Sequence, residues 1–85
     1  MRFVLTRHAQ IEIMRRRIPE NLVDKIVNAP GQVVKEHGDI VCHQSIISGE
    51  GKTYLIRVMI NPTTDPAQIV TAYRTSKIGK YWRTP

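Results

Sequence analysis

Apolar residues recur along this chain with two different periods, and the change from one to the other falls near residue 31. Thr6 is a competent N-cap, and a helix is expected from there to about Arg17. At about 100° per residue, Ile11, Met14 and Ile18 form one apolar stripe of that helix and Ala9 with Ile13 a second. Two stripes predict a helix wrapped by its neighbours, with His8, Glu12 and Arg15 projecting together between them and Arg16 beside Glu12. Pro19 suits the first turn of a second helix because it lacks the N–H that would go unsatisfied there. Leu22, Val23, Ile26 and Val27 give that helix its buried face, and Ala29-Pro30-Gly31 stops it.

From Gln32 onward the spacing changes to short β-branched runs separated by turn residues, as in an antiparallel meander. Strands are predicted at 33–37, 40–47, 53–60 and 68–75. The expected fold is therefore α+β, two N-terminal helices packed on a four-stranded antiparallel sheet, in a single domain spanning 1–85. Period two places Tyr54, Ile56, Val58 and Ile60 on one face of the third strand and Thr53, Leu55, Arg57 and Met59 on the other. An arginine in the middle of a strand has to reach solvent or a partner, which marks Arg57 as a candidate for lining a site. In the fourth strand the same alternation groups Ile69, Thr71, Tyr73 and Thr75 against Val70, Ala72 and Arg74.

Charge sharpens this picture through its distribution. The net charge is +6, with a basic block at each end of the chain and an acidic stretch between them over residues 20–51. Folding can bring the two basic blocks onto one surface, which would suit a polyanion. No apolar run approaches the ~20 residues of a membrane span, the first residues lack the core of a signal peptide, and a cytoplasmic protein without membrane contact is the expectation. The lone cysteine, Cys42, has no internal partner for a disulfide. If both lie in a strand, Cys42 and His43 point to opposite faces, a poor chelating pair, so neither a metal nor a cofactor is called for.

The last strand and tail, from Ile69 to Arg83, combine cations, hydroxyls and aromatic rings. These are the groups that engage phosphates and stack on unpaired bases. Thr6-Arg7-His8-Ala9 opening a helix, Arg16-Arg17-Ile18-Pro19 leading into a second, and Val70-Thr71-Ala72-Tyr73-Arg74-Thr75 near the end resemble a small bacterial domain family of unknown function. That family is grouped with the RelE/ParE toxin-like superfamily and, more broadly, with the barnase and EndoU-type ribonuclease fold group. The resemblance runs through nearly the whole chain in order and spacing. Glu12 stands where relatives often carry a basic residue, and Arg17 replaces a usual glycine.

The resemblance implies a RelE-like fold and metal-independent cleavage of single-stranded or ribosome-associated RNA. Such chemistry uses the 2′-hydroxyl as nucleophile and asks the protein for a proton acceptor, a proton donor and positive charge at the phosphate. On this reading His8 and Tyr73 are catalytic, and Arg16, Arg57, Thr71 and Arg74 bind substrate, with Arg74 needing a bulge or strand end to share a pocket with Tyr73. Two alternatives follow from the same residues: a non-catalytic basic RNA-binding module, favoured by Glu12, and a protein acting through contact with an acidic antitoxin or a target enzyme.

Overall fold

The computed structural model describes residues 2–84. Among these the elements run β1 (Phe3–Leu5), α1 (Arg7–Arg15), α2 (Glu20–Asn28), β2 (Gln32–Lys35), β3 (Val41–Gly49), β4 (Lys52–Asn61), β5 (Ala67–Thr75) and α3 (Ile78–Tyr81). The fold is α+β, but the four-stranded antiparallel sheet expected from the sequence is corrected. The sheet has five strands in the order β1-β5-β4-β3-β2, it is mixed because β1 runs parallel to β5, and the helices number three.

β1 is short and gains its strand character from a partner more than sixty residues away, with Phe3, Val4 and Leu5 facing Ala67, Gln68 and Ile69. It leaves the sheet at Thr6, whose N–H still donates to the Ile69 carbonyl while its Oγ1 accepts from the Ala9 N–H at 3.0 Å and caps α1. Beyond Ile69 the outer edge of β5 therefore has no strand partner, and α1 lies along it. The chain then turns through Arg17, a non-glycine residue at φ 55°, whose carbonyl is held by the Arg74 guanidinium at 2.8 Å. Glu50 and Gly51, both at positive φ, make the two-residue hairpin between β3 and β4.

One sheet face carries the main core. Ile56, Val58, Ile60, Ile69 and Ala72 pack beneath Ala9 and Ile13 of α1 and Val23, Ile26 and Val27 of α2, all of them buried. The expectation that both apolar stripes of the first helix are covered is corrected: Ala9, Ile13 and Ile18 are buried, but Ile11 and Met14 face outward. His43 ties α2 to β3 by donating from Nδ1 to the Val27 carbonyl at 2.9 Å.

The faces of β5 also differ from simple alternation. A register shift opposite Met59 and Ile60 leaves Val70 bulged, so Ile69 and Ala72 both reach the helix-covered core. Ile69 is thereby separated from Thr71, Tyr73 and Thr75, which face the other way. The bulge lies upstream of Tyr73, so Tyr73 and Arg74 remain on opposite faces.

The C-terminal segment lies against the second face. Gln32 clamps that segment with both ends of its amide, its Nε2 donating to the Arg83 carbonyl and its Oε1 accepting from the Arg83 N–H. Trp82 lies against Gly31, where a Cβ would meet the indole at 3.0 Å and the Gln44 carbonyl at 3.2 Å. A side chain at that position is accommodated only if the indole gives way. Gly31→Ala should therefore lift Trp82, the only tryptophan, and shift its fluorescence toward longer wavelength while the far-ultraviolet circular dichroism stays unchanged. Unaltered emission would mean that the indole does not pack on this backbone.

Candidate functional site

Arg57 sits on β4, the middle strand, and points to the face opposite the main core. Its side chain is nearly covered, with the residue only 4% exposed. Burial of an unpaired charge costs several kcal/mol, on the order of a whole domain's stability margin. The cross-strand register supplies the compensation. Gln44 of β3 and Tyr73 of β5 lie directly opposite Arg57 on its two sides. Arg57 Nε donates to Gln44 Oε1 at 2.9 Å and Nη1 to the Tyr73 hydroxyl at 2.8 Å. Nη2 donates to the carboxylate of Glu36, just past the end of β2.

α3 closes the cluster from above. The Tyr81 ring lies over the guanidinium with its centroid 4.3 Å from Cζ, and it meets the Tyr73 ring edge-on at 6.4 Å. Gln44 passes the network onward, its Nε2 donating to Gln32 Oε1 at 2.8 Å and to the Tyr81 carbonyl at 3.2 Å. Three elements and the residue following β2 thus bring one cation, one carboxylate and two phenols to a single place.

The electrostatics separate the two phenols. Burial pushes the Tyr73 hydroxyl above its ordinary pKa, with Arg57 acting against that shift. Tyr81 moves below its ordinary value, chiefly through the neighbouring Tyr73 hydroxyl and then through Lys80 and Arg57. Burial works against the charge of Arg57, but its contacts with Tyr73 and Glu36 outweigh it and the guanidinium is held more firmly protonated. Cys42, buried beside this cluster, has its thiol pushed up to about 11 by desolvation and is therefore an unreactive packing group.

The residues singled out in the sequence fall into three places. Arg57 and Tyr73 meet in the cluster just described. His8 and Arg16 lie on α1 around Glu12: His8 Nε2 is 3.5 Å from Glu12 Oε1, and so is Arg16 Nη2, while Arg15 pairs with Oε2. Arg16 also reaches around the free edge of β5, donating from Nη1 to the Ala72 carbonyl at 2.8 Å and to Thr71 Oγ1 at 3.3 Å. His8 has Glu12 as its polar contact among the described residues and does not join Arg57 and Tyr73. Arg74 is on the helix side, its guanidinium 5.5 Å from the Tyr54 ring centroid.

Glu36, Gln44 and Tyr81 were not identified as site residues from the sequence. Gln44 carried the clearest signal, as a polar residue set between Cys42 and Ile46 on one face of the strand. Among the described residues no group of His, Cys, Asp and Glu side chains could hold a metal ion, and no helix is long and apolar enough to cross a membrane. Compared with protein-family models, with curated proteins and with solved structures, the chain finds no match in any of the three.

The paired phenols make a specific titration. NMR of ring-labelled tyrosine should show Tyr81 losing its proton at lower pH than Tyr73. In Tyr73→Phe, which removes the hydroxyl that favours the Tyr81 phenolate, the Tyr81 midpoint should move up. A Tyr81 midpoint that stays in place would show that the two hydroxyls do not interact.

Proposed function

We propose that this chain is a toxin-like, metal-independent ribonuclease acting on single-stranded or ribosome-associated RNA at the Arg57 cluster. The observation that carries the reading is the junction of Arg57 with the Glu36 carboxylate and the Tyr73 hydroxyl beneath the Tyr81 ring. A fixed cation, a proton acceptor and a proton donor are what cleavage through the 2′-hydroxyl requires. The motifs around His8, Arg16 and Thr71 to Arg74 that resemble the RelE/ParE toxin-like superfamily support the same reading, as does the net charge of +6.

The chemistry starts with an exchange at the guanidinium. A phosphate oxygen replaces Glu36 on Nη2, and the released carboxylate accepts the proton of the 2′-hydroxyl. The 2′-oxygen bonds to phosphorus as the bond to the 5′-oxygen breaks, and Tyr81 supplies the proton that the departing oxygen needs. The products are a 2′,3′-cyclic phosphate and a 5′-hydroxyl. Arg57 stabilises the charge that grows on the phosphoryl oxygens. Tyr73, anchored on Nη1, holds Tyr81 in place and lowers its pKa, which makes Tyr81 the better acid of the two.

A second reading, a binding module without turnover, is favoured by one observation: Arg57 is 4% exposed and already neutralised by Glu36. Incubation with single-stranded RNA in the presence of a chelator separates the two. Cleavage is expected, with Glu36→Gln and Tyr81→Phe each slowing it by about 10²-fold or more while circular dichroism remains that of the parent. Undiminished cleavage in both variants would reject these assignments. Salt-sensitive binding with no products would select the binding module.

A further inference from the structure

The α1 cluster around Glu12 lies outside the chemistry just described, yet its geometry is that of a built cationic site. One carboxylate, 12% exposed, is shared by Arg15 and Arg16, whose side chains are 69% and 35% exposed, with His8 at its other side. A single negative charge cannot neutralise two guanidinium groups, so positive charge remains directed outward. Isolated surface ion pairs seldom mean much, but Arg16 is more than one of these. Its guanidinium is fixed by the Ala72 carbonyl and the Thr71 hydroxyl, so little rotamer freedom is left to lose when an anion binds.

The position of that anchor relates the cluster to Arg57. Thr71 and Tyr73 project from the same face of β5, two residues apart, which sets them about 7 Å from one another along the strand. Thr71 holds Arg16 and Tyr73 holds Arg57. The residues that hold the two arginines are thus spaced on the scale of one nucleotide step of an extended single strand.

We infer that Arg15 and Arg16, organised by Glu12 and Thr71 at the free edge of β5, form a second phosphate subsite that takes the phosphate adjoining the one at Arg57. The inference rests on the reading of the Arg57 cluster as an RNA site and adds the register in which the strand lies: along β5, with consecutive phosphates on Thr71 and Tyr73. Arg15 and Arg16 are binding residues in this scheme, and Glu12 is a positioning residue that gathers them without touching RNA.

Oligonucleotides with 2′-O-methyl riboses bind without being cleaved, because the nucleophile is blocked. A dinucleotide offers one phosphodiester and a trinucleotide two, and NMR titration at several salt concentrations gives the salt dependence of each. For the parent protein the trinucleotide slope of log K against log salt should be steeper by about 0.7, the increment for one further phosphate on a single strand. In Arg15→Gln/Arg16→Gln that difference should vanish while dinucleotide binding is retained. Arg15→Gln alone, which removes an exposed side chain whose polar partner among the described residues is Glu12 of its own helix, should reduce the difference with an unchanged unfolding midpoint and so guards against a folding artefact.

A slope difference that persists in the double variant overturns the subsite, as does failure of the parent to bind either oligonucleotide. Cleavage of unmodified RNA by the parent, measured alongside, tests the Arg57 chemistry separately. Cleavage with an unaltered slope in the double variant leaves the ribonuclease reading standing and removes the second subsite. A slope difference without cleavage does the reverse.

Discussion

A guanidinium on the middle strand of a five-stranded sheet cannot reach bulk water without passing its neighbours' side chains, so those neighbours have to solvate it. Arg57 imposes that requirement in every direction. Gln44 answers it across one strand boundary, Tyr73 across the other, Glu36 from beyond β2 and the Tyr81 ring from above. The demand then propagates, because Gln44 spends its amide oxygen on Arg57 and its nitrogen on Gln32 and the Tyr81 carbonyl, and Gln32 in turn clamps Arg83. The docking of the C-terminal segment is in this sense part of the solvation shell of one charge. Networks of this kind are poor sources of net stability compared with apolar packing of the same volume, since desolvation offsets much of their attraction. Stability in this domain comes from the other face, where aliphatic side chains of β4 and β5 meet α1 and α2. A polar network on the opposite face, paid for by that core, is the pattern expected of a site.

The two faces are kept distinct by a small irregularity. Without the bulge at Val70, strict alternation would put Ile69 on the face of Thr71 and Tyr73, removing a fully buried residue from the core or the hydroxyls from the polar face. With it, β5 serves both layers: Ile69 and Ala72 below the helices, Thr71 and Tyr73 toward the polar side. The same strand is left without a partner on its outer edge past Ile69 because β1 is so short. That vacancy is where Arg16 finds the Ala72 carbonyl, so the length of β1 decides where a cation of α1 can be anchored.

Much of this was legible in the sequence wherever the determining information is local. Both long helices followed from caps and 3.6-residue periodicity, and the longer strands from alternation and turn residues. The partition of β4 into an aliphatic face and an Arg57 face is present in its own ten residues. The failures share a cause: each depends on a residue far away in the chain. β1 is three residues of ordinary composition that become a strand through β5. Ile11 and Met14 read as core because apolar spacing cannot tell a covered stripe from an uncovered one. That His8 stands apart from Tyr73 follows from the path of α1 along the β5 edge, which motif order does not encode. Glu36 and Gln44 became visible as partners of Arg57 only through strand register, which neither composition nor periodicity encodes.

Both cationic centres on this molecule arrive with a carboxylate of their own, Glu36 on Arg57 and Glu12 on Arg15 and Arg16. This pre-pairing selects among anions. A lone phosphate must displace or share a carboxylate that is held at high effective concentration by the fold, and it gains one contact for doing so. A polyanion that has made the first exchange presents its next phosphate to the second centre already tethered, so the second exchange is intramolecular and costs far less translational freedom. On the reading of these centres as phosphate subsites, carboxylates that look like a handicap to nucleic-acid binding would discriminate against small anions while leaving a chain of phosphates able to bind. Under the ribonuclease reading, the Arg57 exchange has a second consequence, since the group expelled from the guanidinium is the one that then accepts the proton of the attacking hydroxyl. Substrate binding and the freeing of the base are then a single event, and a protein at rest, with Glu36 engaged and Tyr81 stacked in place, holds its own chemistry closed.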